Sequence, residues 1–252
     1  MKISIITVCK DSQDTINRAI NSVLSQSISS IEYIIIDGDS SDSTKSIIAE
    51  YLDHIDHYIS EKDDGYYDAL NKGIKVATGD IIGILNSDDV FSSRNVLKEV
   101  LDVYSENPYT GIVFGNACIV DKHSKKLLRK VSYKKYHSFF LRFGFMPAHT
   151  ATFVKKSTYE TVGLYSARYI LSSDYDWFVR AFLIFKIHFK SLNTNLVYMD
   201  SGGMSTSGLK TNLLITKEIN NILKSNRFLS FYFLILLRLP IKWFLSKLNN
   251  IS

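Results

Sequence analysis

The residues best suited to chemistry in this chain of 252 amino acids are the polar run Asn86-Ser87-Asp88-Asp89. This run follows the apolar segment Ile81 to Leu85, whose length and composition are typical of a buried strand. Two adjacent carboxylates repel each other unless a cation lies nearby, and such oxygen ligands suit Mg²⁺ or Mn²⁺ beside a phosphate. The run therefore predicts a metal–diphosphate site. The alternative is that one of its residues is the N-cap of the following helix.

Strands and helices that alternate along the chain must position this run. Strands are predicted at Ile3–Val8, Ile31–Ile36 and His57–Ser60, and helical spacing of apolar residues follows each of them. Asp11 or Ser12 is a candidate N-cap of the first helix, and the third helix is predicted from about residue 67 to 77. Two strand–helix units within about fifty residues predict a parallel sheet with right-handed crossovers. Ligands of such sheets bind where the strands end, and polar residues collect at these ends: Cys9, Lys10, Asp11, Asp37, Asp39, Glu61, Asp63, Asp64, Asp88 and Asp89.

This predicted edge of the sheet is acidic and carries no glycine-rich phosphate motif. Neither G-x-G-x-x-G nor G-x-x-x-x-G-K-[ST] occurs in the first strand–helix turns, so a dinucleotide fingerprint and a P-loop are both excluded. An acidic edge needs a divalent cation, basic side chains or backbone amides to hold a diphosphate. This favours the metal interpretation of Asp88 and Asp89 over the helix-cap interpretation.

The charge of the chain is concentrated at its C-terminal end. The net charge is +5, and the segment from Lys210 onward carries seven Lys or Arg residues and one acid, which leaves the preceding residues close to neutral. A nucleic-acid-binding protein would spread its basic residues over the folded surface, so nucleic acid is not an expected partner. Two cysteines imply no disulfide framework, and the N-terminus lacks the apolar core of a signal peptide, which together predict a cytoplasmic location.

The C-terminal segment also predicts a contact with a membrane surface. Its uncharged run, Phe228 to Leu237, has ten residues, whereas a membrane span needs about twenty. Aromatic and aliphatic residues punctuated by cations across residues 228–247 are typical of a segment that lies in the interface of an anionic bilayer. The alternatives are a helix packed on the catalytic domain and a dimer interface.

Five motifs in this order resemble the family 2 glycosyltransferases, which have the nucleotide-sugar-binding GT-A fold. The resemblance covers roughly residues 1–205, and its third motif is similar to the branch that builds bacterial surface polysaccharides such as colanic acid. The motifs are Ile5-Ile-Thr-Val-Cys-Lys-Asp11, Ile36-Asp-Gly-Asp-Ser-Ser-Asp-Ser-Thr44, Ser60-Glu-Lys-Asp-Asp-Gly-Tyr-Tyr-Asp-Ala-Leu-Asn-Lys-Gly73, Ala77-Thr-Gly-Asp80 and Leu85-Asn-Ser-Asp-Asp89.

The resemblance assigns nucleotide contacts at the strand ends. It implies that Thr7 and Asp37 contact the uracil or ribose, and that Asp63 and Asn71 contact the nucleotide, although Asn71 is alternatively a satisfied polar residue of a helix. The acids of the second motif, Asp39 and Asp42, fit turn and cap positions better than ligand contacts.

The metal motif of the family, D-x-D, occurs here with Asn86 in its first position. An asparagine hydrogen-bonds a ribose or a metal-bound water but adds no charge. The resemblance therefore places the metal on Asp88, with Asp89 as a second ligand.

Two residues of the second half are further site candidates, His149 for nucleotide-sugar binding and Asp174 for catalysis. His149 follows Pro147 at the start of a strand, where the family has polar residues that face the donor; a structural histidine is the alternative. Asp174 stands at the position of the family's general base, although Ser173 replaces the commoner Glu, and helix capping is the alternative. Asp176 is expected to be structural, and Ser201–Ser205 to form a loop near the site.

These observations predict an α/β protein of the GT-A fold, with a mostly parallel central sheet flanked by helices. Residues 1–209 form the catalytic domain, divided into a nucleotide-sugar half (1–110) and an acceptor half (111–209), and residues 210–252 form a basic amphipathic tail. The predicted activity is the metal-dependent transfer of one sugar, with inversion, from a nucleotide-diphosphate sugar to a saccharide acceptor. UDP is the favoured nucleotide. The acceptor is predicted to be a lipid-linked saccharide of surface polysaccharide biosynthesis. The Q-x-x-R-W motif of processive members is absent.

Two other functions remain open at this point. One is a nucleotidyltransferase that makes nucleotide sugars, although Val8-Cys-Lys-Asp-Ser12 does not resemble the glycine-rich loop of such enzymes. The other is a non-catalytic scaffold bound to the inner face of the cell membrane.

Overall fold

A computed structural model describes residues 1–132, 136–202, 208–238 and 240–241 of the protein. The strands within these residues are β1 (Ile3–Cys9), β2 (Ile31–Asp37), β3 (His57–Ser60), β4 (Ile81–Ile84), β5 (Asp89–Phe91), β6 (Ile112–Val120), β7 (Leu127–Val131), β8 (Thr152–Lys155) and β9 (Phe189–Asp200). The α-helices are α1 (Ile16–Leu24), α2 (Thr44–Ala49), α3 (Tyr66–Val76), α4 (Val96–Glu106), α5 (Lys156–Val162), α6 (Ser173–Val179), α7 (Gly208–Ser225) and α8 (Tyr232–Leu236).

The strands form one sheet with the order β3-β2-β1-β4-β8-β6-β9-β5, and β7 pairs with β6. The first four strands are parallel, whereas β8 and β5 are antiparallel to their neighbours. The register aligns Cys9 with Asp37 and Asp37 with Ser60, so the carboxyl ends of β1, β2 and β3 meet at one edge. The predicted α/β fold with helices on a mostly parallel central sheet is confirmed.

Apolar side chains bury both faces of this sheet. All seven residues of β1 are buried, because α3 covers one face and α1 covers the other. Gly73 allows α3 to approach closely: a Cβ atom at this position would lie 2.5 Å from Cγ2 of Ile6. The strands that carry the polar edge are therefore held in a closely packed core.

Most predicted elements lie where the sequence pattern placed them. The third strand has the predicted bounds His57–Ser60, and the helix predicted from about residue 67 to 77 spans Tyr66–Val76. The last strand is longer than its apolar centre, Leu196 to Met199, because it runs from Phe189 to Asp200 alongside β6.

The predicted tail begins as part of the folded core. Ile219, Ile222 and Leu223 of α7 are buried in the cluster that contains α6, and the carboxylate of Glu218 accepts hydrogen bonds from the backbone amides of residues 170 and 171. This part of the tail is thus a helix packed on the domain. Among the described residues, no helix combines the length and hydrophobicity needed to cross a bilayer. Residues 203–205 of the predicted loop and 242–247 of the predicted membrane segment lie outside the described residues.

Candidate active site

The end of β2 is closed by a network around Asp37. Its carboxylate is fully buried and accepts hydrogen bonds from the Ser40 hydroxyl (2.5 Å), the Ser60 hydroxyl (2.6 Å) and the Ser40 backbone amide. Thr7 is also fully buried and shares a hydrogen bond of 3.2 Å with the hydroxyl of Tyr33. Both side chains shape the floor of the edge, and their contacts with a base or ribose stay a prediction.

Asp63 and Asn71, the other predicted nucleotide contacts, are also bonded within the protein. The ammonium group of Lys72 lies 2.6 Å from Asp63 and 2.8 Å from Glu61. The amide of Asn71 donates to the carbonyl oxygen of Tyr165 (2.9 Å) and accepts from its backbone N–H (3.0 Å). Asn71 therefore fastens α3 to the acceptor half, as in the alternative interpretation of this residue.

The run Asn86-Ser87-Asp88-Asp89 forms a turn into β5. The backbone N–H of Asp89 donates to the carbonyl of Asn86 (3.1 Å), and Asp89 is already in the strand that pairs with β9. Helix α4 begins seven residues later, at Val96, and its N-cap is Asn95. The helix-cap alternative for Asp88 and Asp89 is thus wrong, because a strand separates them from the helix.

The carboxylates of Asp88 and Asp89 differ in exposure, and both have a raised pKa. Asp88 is half-buried, and burial raises its pKa. Asp89 is only 2% exposed, and burial followed by the charge of Asp88 raises its pKa well above its usual range. The charge of Asp200, at the end of β9, acts in the same direction on both, while Asp200 itself is paired with Arg18 (2.5 Å) and Lys125 (2.8 Å).

These carboxylates fit a divalent cation. Oδ2 of Asp89 is buried without a hydrogen-bond partner, which leaves a hard oxygen ligand beside the more exposed carboxylate of Asp88. Mg²⁺ is usually held by one or two carboxylates together with substrate phosphates, so two protein ligands are sufficient. Within the described part of the chain, no group of three or more His, Cys, Asp and Glu side chains is arranged to hold a metal by itself.

Two adjacent tyrosines at the start of α3 join the predicted metal motif to helix α6. The hydroxyl of Tyr66 donates to Oδ1 of Asn86 (2.7 Å), and the hydroxyl of Tyr67 donates to Oδ1 of Asp174 (3.0 Å). Burial, followed by the charges of Asp174, Asp89 and Asp88, raises the pKa of Tyr66 well above its usual value. Asp174 and the two metal-motif carboxylates therefore lie near the same phenol group.

Asp174 lies in the first turn of α6, two residues after the N-cap Ser172. Its Oδ1 atom also accepts a hydrogen bond from the backbone N–H of Tyr175 (2.7 Å). Asp176, two residues later, is 6% exposed and paired with Arg180 (2.9 Å), as expected for a structural acid.

His149 belongs to a tyrosine network behind Asp174. Its Nε2 atom lies 2.6 Å from the hydroxyl of Tyr165, which lies 3.0 Å from the hydroxyl of Tyr159. Burial lowers the pKa of His149 to about 4, so the imidazole is neutral near pH 7. The ring of Tyr165 also packs 5.7 Å from that of Tyr67, measured between centroids.

Sequence reasoning gave no role to the tyrosines that connect these residues. Tyr66 and Tyr67 lie inside the third motif, directly after Gly65, so their position at the start of a helix was an available signal. Tyr165 has no local motif, and only the fold brings it to Asn71 and His149.

The sequence of the chain matches a known family over more than half of its length. The model of the family described as "Glycosyl transferase family 2" matches residues 4–161. The chain belongs to this family. An uncharacterized glycosyltransferase of Mycobacterium tuberculosis (strain CDC 1551 / Oshkosh) is 29% identical over 185 residues, which cover 72% of this chain and 69% of the relative. The protein is therefore a glycosyltransferase, and the nucleotidyltransferase and scaffold alternatives are set aside.

A second relative and two solved structures extend the comparison. The "PGL/p-HBAD biosynthesis glycosyltransferase" of Mycobacterium bovis (strain BCG / Pasteur 1173P2) is 25% identical, over 65% of this chain and 62% of the relative. The structure of S. aureus TarS 1–349 in complex with UDP-GlcNAc has a TM-score of 0.68 at 15% identity, over 88% of this chain and 66% of that one. The mannosyltransferase PcManGT from Pyrobaculum calidifontis, in complex with GDP-Man and Mn²⁺, has a TM-score of 0.63 at 16% identity, over 89% and 64%.

These structural matches show a GT-A-type fold. This chain spans less than two thirds of the length of TarS 1–349, of PcManGT and of the mycobacterial relative with the lower identity.

Proposed function

We propose that this glycosyltransferase moves one sugar from a nucleotide-diphosphate sugar, with UDP as the favoured nucleotide, to a saccharide acceptor with inversion at the anomeric carbon. The observation that carries the proposal is the pair Tyr66 and Tyr67, whose hydroxyls contact Asn86 and Asp174. Asn86 of the metal motif and the candidate base Asp174 are thus bonded to neighbouring residues of one helix, which supports a site shared by the two. The nucleotide sugars named with TarS and PcManGT support the donor class.

On the donor side, Asp88 and Asp89 would hold Mg²⁺ or Mn²⁺. The bound ion would supply Lewis-acid stabilisation of the charge that develops on the departing diphosphate. The half-buried carboxylate of Asp88 is the better placed of the two to face the donor, since Asp89 is almost fully buried. Asn86, oriented by Tyr66, is available to hydrogen-bond the ribose, and Thr7, Asp37 and Asp63 support the nucleotide side of the cleft.

On the acceptor side, Asp174 would act as general base. An acceptor hydroxyl would lose its proton to Asp174 while its oxygen forms a bond to the anomeric carbon. The bond between that carbon and the phosphate oxygen breaks on the opposite face, which inverts the configuration. The transition state would resemble an oxocarbenium ion, as in glycoside hydrolysis. His149 is neutral near pH 7 and would offer a polar contact rather than a charge.

The acceptor that we propose is a lipid-linked saccharide of surface polysaccharide biosynthesis, used at the inner face of the cell membrane. Two observations support it. One relative is named for the biosynthesis of PGL/p-HBAD. The described part of residues 228–247 also exposes large apolar side chains, among them Leu229 and Phe233.

The test is nucleotide release from a panel of nucleotide sugars in the presence of Mn²⁺ and membrane lipid extract. Asp88→Asn and Asp174→Asn are each expected to lower the rate by at least about a hundredfold, since each removes a group that acts in the transition state. Asp102→Asn, a change of the same kind at an exposed position of α4, is the matched control and should leave the rate unchanged. Near-normal rates in both active-site variants would refute the proposal.

A further inference from the structure

Two segments, one in the second half of the domain and one in the tail, expose large aromatic and aliphatic side chains next to each other. The first is the 3₁₀ segment Ser138–Phe143, where Phe139 is 50% exposed and Phe140 is 46% exposed. The second contains α8 and its flanks, where the exposed side chains include Phe231 and Phe233, the latter 79% exposed. Leaving such side chains in water is costly, so a group of them in adjacent segments indicates an interaction surface.

Specific contacts hold the two segments together as one face. The guanidinium of Arg142 lies 5.7 Å from the ring centroid of Phe139 and 5.4 Å from that of Phe228. Gly144 closes the 3₁₀ segment with a positive φ of 79°, and a Cβ atom there would lie 3.1 Å from Cδ of Arg238. We call this surface the docking face, defined by Phe139, Phe140, Leu229, Phe231, Phe233 and Leu237.

The charge around the docking face has one sign. Within residues 136–147 the sequence has one Lys or Arg, Arg142, and no Asp or Glu, and residues 219–238 contain Lys224, Arg227 and Arg238 and no Asp or Glu. Lys224 and Arg227, which border the docking face, are exposed. Each such cation near an anionic membrane surface contributes attraction that is lost at high salt. An exposed apolar surface bordered by cations, without neighbouring acids along the chain, is therefore complementary to an anionic bilayer.

The docking face is also connected to the active site. The hydroxyl of Tyr175 donates a hydrogen bond to the carbonyl oxygen of Leu141, within the 3₁₀ segment. Tyr175 directly follows Asp174 in α6, so the segment with Phe139 and Phe140 is fastened to the helix that carries the candidate base. An acceptor anchored in a bilayer would thus be presented on the side of the protein where Asp174 lies.

We propose that the docking face binds the surface of an anionic lipid bilayer, with Phe139 and Phe140 of the folded domain as anchors beside the C-terminal segment. Phe139 and Phe140 would thus be a second anchoring element beside the tail. The proposal rests on the proposed function only where it links the bilayer to a lipid-linked acceptor. Its test therefore measures lipid binding and nucleotide binding separately.

The experiment is co-sedimentation of the full chain with vesicles of phosphatidylcholine alone or with about one third phosphatidylglycerol, at low and high salt. The unmodified protein is expected to bind the anionic vesicles, and Phe139→Ser/Phe140→Ser to weaken that binding by at least about tenfold, since two exposed rings leave the interface. Phe185→Ser is the matched control, because Phe185 is 45% exposed outside the docking face. It should bind vesicles as the unmodified protein does.

Thermal unfolding and nucleotide binding, measured on the same samples, separate the possible failures. Unchanged values for the double variant, together with lost vesicle binding, would support the proposal. Vesicle binding equal to that of the unmodified protein would overturn it. The proposal would also be overturned if the unmodified protein bound no vesicles but formed a dimer that Phe139→Ser/Phe140→Ser dissociates. That result would assign the docking face to a second copy of the chain. Loss of nucleotide binding in every sample would contradict the proposed function instead.

Discussion

Replacing Tyr67 with phenylalanine removes one hydroxyl from the interior of the cleft and leaves the ring in place. That hydroxyl donates to Asp174 over 3.0 Å, and burial, followed by the charge of Asp174, raises the pKa of Tyr67 so that it remains a donor. A hydrogen bond to a charged group contributes about 1.5 to 3 kcal/mol. Because the backbone N–H of Tyr175 still holds Asp174, we expect a loss near the lower limit.

This loss corresponds to a decrease of about tenfold in kcat, since about 1.4 kcal/mol is a factor of ten. The KM for the nucleotide sugar should stay unchanged, because Tyr67 contacts the acceptor half. Tyr66→Phe provides the comparison: its hydroxyl holds Asn86, so we expect a higher KM for the donor and a smaller change in kcat. The assay is steady-state nucleotide release with varied donor concentration.

Tyr109→Phe is the control for the chemical change itself, since Tyr109 is 93% exposed and should give normal kinetics. Melting temperatures of all three variants show whether folding is affected. The reasoning is refuted if Tyr67→Phe keeps kcat within twofold of the original enzyme, or if both cleft variants change the same constant.

Three further predictions concern stability. Burial would raise the pKa of Glu32, but hydrogen bonds from its neighbours outweigh it and lower the pKa to about 2. The ionised carboxylate of Glu32 therefore stabilises the fold above about pH 4.5, and this contribution disappears as the pH falls towards 2. Glu32→Gln should have a lower melting temperature than the original protein at pH 7. In unfolding scans at decreasing pH, it should lose less stability than the original protein does. Gly73→Ala should cost about 1 to 3 kcal/mol in urea unfolding, because its Cβ would overlap Ile6 in the core; no change in the midpoint would contradict that packing. Because the pKa of Asp89 is raised in the folded protein, its ionised form destabilises the fold as the pH rises. Asp89→Asn should therefore have a higher melting temperature than the original protein at pH 8 without metal, and it should bind Mn²⁺ more weakly by calorimetry. Equal melting temperatures would count against this reasoning.

Local patterns predicted the nucleotide-binding half of the fold well. The strands of this half are continuous apolar runs because helices cover both faces of the sheet, and such runs are visible without any tertiary information. The strand before Asn86 was therefore placed correctly. The strand His57–Ser60 was also placed correctly, although it is only partly buried.

The second half shows what local patterns miss. The first part of β9 has exposed or half-exposed residues such as Lys190 and Asn193, and it is a strand because it pairs with β6. Asp11 was predicted as a possible N-cap of α1, but it has a positive φ of 47° and its carboxylate accepts a hydrogen bond from the backbone N–H of Ser41. In both cases a distant segment supplies the partner that the local sequence does not contain.

The candidate site follows the same division. The motifs located Asp88, Asp89 and Asp174, but no spacing along the chain indicated that Tyr67 reaches Asp174, 107 residues away. The burial of Thr7 and Asp37 likewise depends on Tyr33 and Ser60, which become their neighbours only when the strands pair.

The central claim is a metal-dependent nucleotide-sugar site at Asp88, and calorimetric titration tests it most directly. UDP, GDP, CDP and ADP would each be titrated into the full chain with and without Mn²⁺, and into Asp88→Asn under the same conditions. We predict that one nucleotide, UDP by preference, binds more tightly with Mn²⁺ and that Asp88→Asn abolishes this gain. Failure of all four nucleotides to bind a folded sample, or equal Mn²⁺-dependent binding by Asp88→Asn, would contradict the claim.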